Sequence, residues 1–308
     1  GLLNGLARKT NLDISVTGSN SRYLSTDILT EFRGSGDEVL VHPLSFAEYL
    51  SAFEGNEDEA WREYYTFGGL PLILSQGTDV LKASYLKTLF QKVCISDIAD
   101  RHNLRASEGM GALLNLLASG IGSLTNPHKL ATSFTSNGVS EKTISTYIDH
   151  LTDAFLSTRA ERYDVKGKRY IASPYKDSFE DVGLRNARLN FRQQEEGHIM
   201  ENIIDNELRM RGFAVDVGVV DIGEQQIRKR TAIDFVCNLG SRRSYVQWAF
   251  AIPDGEKMRQ ESRPLVSVAD SFKKIIVVKD PIKFWRTEEG VVFMGLRQFL
   301  LEPNSLDR

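Results

Sequence analysis

The chain has 308 residues, enough for two domains at roughly 150 residues each. Its 41% hydrophobic and 26% charged residues are the mix of folded globular proteins and exclude a fibrous or largely disordered chain. Thirty-eight Lys and Arg against 41 Asp and Glu leave a net charge of −3, so no global positive field advertises nucleic acid or an anionic membrane, and such contact needs a local patch.

The two cysteines, Cys94 and Cys237, are far apart and have no Cys or His partner at metal-ligand spacing. Neither a disulfide framework nor a structural zinc site is expected, and a reducing cytoplasm fits. Apolar runs such as residues 70–74 and 274–278 fall short of the ~20 residues that span a bilayer, so no membrane partner is expected. Gly1–Leu2–Leu3–Asn4–Gly5 is not a basic leader before an apolar core, so no signal peptide is read. Without an initiator Met the chain reads as the remainder of something longer.

Leu12 to Val16 alternates apolar and polar residues, which predicts a half-buried strand; it ends in the small polar turn Thr17–Gly18–Ser19–Asn20–Ser21. Glu38 to Val41 predicts a second strand, stopped by Pro43. Ser45, with Glu48 three positions on, predicts a capping box and a helix. Short strands without a hairpin partner belong in a parallel α/β sheet whose other members lie elsewhere. Residues 57–120 are mainly helical, broken at Gly68–Gly69–Leu70–Pro71 and ended by Gly120 and Gly122.

From Pro127 the pattern changes. A short helix runs to Phe134, Asn137–Gly138 turns, and Ser140 caps a longer helix bearing Ile144, Tyr147, Ile148, Leu151 and Phe155. A strand from Ser157 to Tyr163, a turn at Lys166–Gly167 and a return strand from Lys168 to Ile171 complete the order of a winged helix. A new unit begins near Gly197: a helix bearing Ile199, Ile203, Ile204 and Leu208 stops at Gly212. Strands are then predicted over residues 213–220, 233–237, 245–252 and 275–278.

Several motifs in order carry a resemblance: Thr17–Gly18–Ser19–Asn20–Ser21, Glu31–Phe32–Arg33–Gly34, Pro43 to Leu50, Tyr65 to Pro71, Asp181 to Ala187, Glu201–Asn202–Ile203–Ile204 and Ile233–Asp234–Phe235–Val236. Together they resemble the prokaryotic AAA+ ATPases that carry an uncharacterised C-terminal domain, over essentially the whole chain. The resemblance implies an α/β multidomain protein. Residues 1–104 would be the C-terminal part of the ATPase domain with its lid helices, 105–196 a winged helix, and 197–308 a PD-(D/E)xK nuclease-like α/β domain. It also implies ATP and Mg²⁺ in a complete parent and an oligomer through the ATPase domain. No Gly-x-x-x-x-Gly-Lys-Ser/Thr occurs in the sequence, so this chain is not expected to bind ATP tightly.

By the same resemblance Asn20, or else Ser19, is the sensor that orients the attacking water, and Gly69 and Pro71 lie near the adenine. The plainer readings are a turn at 17–20 that needs φ > 0 and a helix breaker at Pro71. The family's trans-acting arginine finger falls at Gly34–Ser35; the adjacent Arg33 is a substitute candidate, with a solvated surface arginine the favoured reading. Residues 105–175 hold eight Lys or Arg against six acids, and the basic cluster that could meet phosphate is Lys166, Lys168 and Arg169 on the wing, with Lys142 on the second helix. Asp149 and Asp153 on that helix oppose DNA, so a packing or lid role is favoured over DNA contact.

In the nuclease-like unit Glu201, Asp234 and Gln247 match the metal-ligand positions, whereas Ala249 stands where the family has lysine. A hard divalent cation wants converging oxygens, with a lysine steadying the nucleophile. Two carboxylates and no lysine predict a degenerate site used for contact. The function expected is that of the C-terminal part of an AAA+ ATP-binding protein coupling to an unknown partner. The alternatives are a DNA-binding or DNA-processing protein, and a toxin–antitoxin or defence-system interaction protein.

Overall fold

A computed structural model describes residues 5–6, 9, 11–17, 39–92, 98, 108–134, 140–192, 195–223 and 229–307. Helix α1 (Phe46–Ala52) starts with the expected capping box: the Ser45 hydroxyl accepts from the Glu48 N–H while the Glu48 carboxylate accepts the Ser45 N–H at 2.8 Å. Asn56 and Glu59 repeat the device at α2 (Glu57–Phe67). Phe46, Tyr49, Trp61 and Tyr64 interlock there, Phe46 standing edge-on to Trp61 at 5.0 Å. A 3-10 turn (Pro71–Ile73), α3 (Asp79–Leu89) and α4 (Glu108–Ser119) follow.

The next stretch has the predicted order of helix, helix and hairpin. It comprises β1 (Leu124–Thr125), α5 (Pro127–Thr132), α6 (Glu141–Asp153), β2 (Ser157–Asp164) and β3 (Arg169–Phe179). Ser140 caps α6, accepting the Thr143 N–H at 3.1 Å. The return strand runs eight residues beyond Ile171, and its last five residues are buried. After α7 (Val182–Arg188) and α8 (Glu196–Met210) come β4 (Ala214–Ile222), β5 (Lys229–Leu239), β6 (Arg242–Ala249), α9 (Gly255–Val266), β7 (Lys273–Val278), β8 (Trp285–Arg286), β9 (Val291–Gly295) and α10 (Leu296–Leu301).

The described strands form one mixed sheet of nine, ordered β1-β3-β2-β4-β5-β6-β7-β9-β8. Toward its β8 end lie two consecutive parallel joins, β6 to β7 and β7 to β9. Such strands are covered on both faces and read as unbroken apolar runs, as Ile275 to Val278 does. Ile199, Ile203 and Leu208 of α8 and Phe299 of α10 pack on one face with Phe235, Val246 and Ile275. Leu265 of α9 packs on the other with Ile233, Val236, Tyr245 and Ile276. Each such side chain withdrawn from water contributes about 1.5–3 kcal/mol, and their alternation between faces fixes the register.

The hairpin belongs to this sheet. Strand β2 lies parallel to β4, with Arg162, Tyr163 and Asp164 opposite Val217, Gly218 and Val219. The expected division at 196/197 is therefore crossed by continuous β-structure. The overall class is mixed α/β.

Two predicted strands do not form. Residues 12–17 and 39–42 are irregular, and Val39 and Val41 are 81% and 87% exposed. Alternation gives a strand only where a neighbour accepts its backbone groups, and none of the described residues pairs with these. No helix among the described residues is long and apolar enough to cross a membrane.

Candidate functional site

Helix α8 and the bulged centre of β5 bring two of the predicted ligands together. Asp216 pairs with Val236 and Gly218 with Ile233, so Val217 alone faces both Asp234 and Phe235. This is a β-bulge, which turns consecutive side chains toward one face. Phe235 thereby joins the core beneath α8, and Asp234 meets the α8 side as well. The backbone pairing of β5 with β6 runs out at Phe235 and Val246. Side chains continue it: the Gln247 amide oxygen accepts the Asp234 N–H at 3.3 Å, and Asp234 Oδ2 accepts the Trp248 N–H at 3.0 Å.

Between Glu201 and Asp234 stands a residue from a different strand. Lys176, on β3, donates through Nζ to Glu201 Oε1 and lies 3.7 Å from Asp234 Oδ1. Lys176 and Glu201 are both buried. Burial opposes the lysine's charge, yet the Asp234 and Glu201 carboxylates outweigh it and raise the ammonium's pKa. Burial likewise pushes Glu201 up, but Lys176, with help from His198, holds it below its ordinary value. Asp234 is pushed up to about 7 by burial and by the Glu201 charge, only partly offset by Lys176. The result is a Lys176–Glu201 ion pair with a neighbour that takes up a proton near neutrality.

The surroundings hold this geometry. Asn202, next to Glu201, clamps the end of β3: its Oδ1 accepts the Phe179 N–H and its Nδ2 donates to the Phe179 oxygen, both at 2.7 Å. The half-exposed His198 places Nδ1 3.8 Å from Glu201 Oε2, and that carboxylate raises the imidazole's pKa. Gly122, at φ +79°, backs onto both. A Cβ there would fall 2.4 Å from His198 Nδ1 and 3.0 Å from Glu201 Oε2, so only glycine lets this turn close over the site.

A divalent ion fits this donor set poorly. Gln247 spends its oxygen on a backbone N–H, one Asp234 oxygen does the same, Asp234 Oδ1 and Glu201 Oε1 face an ammonium, and Glu201 Oε2 lies toward His198. Ala249, which the resemblance would put at the nuclease lysine position, is buried among apolar side chains.

Of the residues suggested for nucleotide, Ser19, Asn20 and Arg33 lie outside the described residues. Pro71 opens the 3-10 turn and is exposed. Gly69 sits in a buried joint: its N–H donates to Asp181 Oδ2 at 2.8 Å, and its oxygen accepts the Leu44 N–H at 2.8 Å. Asp181 also caps α7 through the Leu184 N–H at 2.9 Å. Asn186 donates to the Tyr65 and Thr66 oxygens, each at 3.0 Å. The fully buried Arg185 donates to the Ala118 oxygen at 2.8 Å. A Cβ on Gly183 would lie 1.9 Å from the Phe67 oxygen. Two of the motifs that carry the resemblance, Tyr65–Pro71 and Asp181–Ala187, are thus halves of one joint. The crevice beside it, lined by His42, Tyr64, Gly69 and Glu180 among others, measures about 10 Å³, room for one water.

On the wing, Lys166 Nζ donates to the Asp221 oxygen at 2.9 Å and Arg169 lies 3.6 Å from Asp164. Lys168 and Lys142 are exposed.

A Haemophilus influenzae protein, described as uncharacterized, is 34% identical over 283 residues, covering 90% of this chain and 68% of its own length. The chain belongs to that protein's family. Uncharacterized protein MJ1544 of Methanocaldococcus jannaschii is 25% identical over 262 residues, covering 80% of this chain and 57% of its own. This family member also matches a domain of unknown function (DUF8612) over residues 58–195, a span that contains the joint and Lys176. The crystal structure of protein VC1899 from Vibrio cholerae aligns with 88% of the chain and 62% of its own at 12% identity and a TM-score of 0.27, a likeness on which no argument is built.

Sequence reasoning on this family member missed Lys176 and named Asp181 only as the start of a motif, without a role. Lys176 carried a faint signal, a charged pair, Lys176–Asp177, inside a strand between Tyr175 and Phe179. Asp181 carried a plainer one, an N-cap residue directly before Val182.

Proposed function

We propose that this chain is the coupling part of an ATP-dependent protein of AAA+ type, in which the nuclease-like sheet makes contacts and does not hydrolyse phosphodiesters. The observation that supports this is the joint at Asp181. The segment that resembles an ATPase lid, Tyr65–Pro71, is bonded into the helix that leads to the C-terminal sheet. A displacement of the lid therefore carries α7 with it, as coupling between two sites requires. ATP and Mg²⁺ would be held by parts outside the motifs present here, with Asn20 as sensor and Pro71 near the base. The partner would meet the C-terminal sheet.

DNA contact through the wing has less support, because two of its three cations are already engaged within the chain. Titration calorimetry with Mg²⁺–ATP tests the main reading on this chain and on the Haemophilus relative, side by side. The relative should bind at micromolar ATP, and this chain should show no sub-micromolar site. A relative that binds no ATP, or a tight site on this chain, overturns the proposal.

A further inference from the structure

We propose that the Lys176 ammonium is the resident cation of the α8–β5 site, seated between Glu201 and Asp234 and keeping that seat closed to divalent metal. This goes beyond the nucleotide reading and stands independently of it. A nuclease-like fold implies a metal at this place, and the residues present do not fit one.

Three observations carry the assignment. The first is charge: the two carboxylates that face one another share a single cation, and it belongs to the chain. The second is tethering. Lys176 is paired within β3 to Leu124 on one side and Ala160 on the other; its Nζ lies 5.7 Å from the Phe235 ring centre, and three residues on Asn202 clamps the strand. The backbone from which the ammonium reaches the two carboxylates is thereby held in place. The third is enclosure, since the Gly122 turn closes against Glu201 and His198.

An incoming ion would have to displace a covalently held cation and leave it buried without a partner, which is strongly unfavourable. Removing the lysine reverses that balance. No cation of the chain would then stand between the two carboxyl groups, and a hard cation with its waters can take that place, displacing the proton that Asp234 holds near neutrality. The seat is a latent metal site that Lys176 keeps filled.

The test is titration of the whole chain with MnCl₂ near neutral pH, followed by calorimetry and by water-proton relaxation. Wild type should show no site at this position. Lys176→Ala should bind about one Mn²⁺ per chain at least about tenfold more tightly, and adding Glu201→Gln should abolish the gain. Lys176→Gln, which keeps most of the stem, serves as a second variant if alanine leaves β3 unstable. Wild type binding Mn²⁺ as tightly as the variants, or folded variants that gain no affinity, overturns the proposal. A further readout needs no variant: amine acylation followed by mass spectrometry should label Lys176 at least about tenfold more slowly than the exposed Lys168, as a buried ion pair requires. Equal labelling overturns the assignment.

Discussion

Replacing Asn202 with alanine removes the clamp that ties α8 to the end of β3, and its cost can be worked out group by group. The side chain is 2% exposed and makes both a bond to the Phe179 N–H and one to the Phe179 oxygen at 2.7 Å. The carbonyl keeps a second donor, Asn206 Nδ2, at 3.0 Å. The N–H has no such reserve, and a stranded buried donor costs about 1–3 kcal/mol. Adding the weaker loss at the carbonyl gives about 2–3 kcal/mol for Asn202→Ala. Asn206→Ala deprives the Phe179 and Glu180 oxygens of one bond each and takes the 3.1 Å acceptor from one Asn202 amide hydrogen, while the Phe179 N–H keeps its partner, so about 1–2 kcal/mol, less than at Asn202, is expected. Urea unfolding followed by circular dichroism gives both values from the same m-value. A loss below about 0.5 kcal/mol for Asn202→Ala, the range of neutral surface changes, refutes the reasoning. So does an equal loss at Asn206.

Gly183→Ala should destabilise severely, since its Cβ meets the backbone oxygen of Phe67 at 1.9 Å, whereas Gly111→Ala meets only the movable Arg188 guanidinium at 3.3 Å; thermal melts of the two should differ by many degrees, and matched melts would count against the tight joint. Burial holds Asp181 at about 6 against 3.8 when free, with backbone N–H bonds only partly opposing it. The folded chain therefore keeps a proton that the unfolded chain releases, so this stabilisation is complete below about pH 4 and is lost as pH rises through about 6. The gap amounts to about 3 kcal/mol. Asp181→Asn should flatten the fall in the urea midpoint between about pH 4 and 7, and an unchanged slope would show that Asp181 does not titrate there.

Much of the fold was legible because local chemistry and tertiary context agree. The Ser45–Glu48 box, the Ser140 cap, the stop at Gly212 and the four C-terminal strands each follow from periodicity or capping. Leu12 to Val16 shows where that logic ends: alternation specifies a face, and a strand also needs a neighbour. Helix α9 escaped notice because it is strongly polar and holds Pro264. At the site, Glu201 and Asp234 were legible as a pair. The bulge that aims Asp234 was not, because a register shift leaves no mark in one strand's own sequence. Lys176 was hidden for a similar reason: it reaches the carboxylates through a side-chain contact that spans more than fifty positions, from β3 to β5, strands that β2 and β4 separate in the sheet. Gly69 was read as a nucleotide contact, and the structure engages its N–H with Asp181, which only long-range packing reveals.

The parallel join between β2 and β4 has a practical corollary for anyone who divides this chain. A piece starting at residue 197 would expose the flank of β4 as a naked template for foreign strands. It would also leave Glu201 with only the half-exposed His198 beside it, since Lys176 sits on the discarded side. The smallest honest excision keeps the hairpin with the sheet, so the seam drawn by family resemblance and the seam along which the polypeptide could be cut are different places.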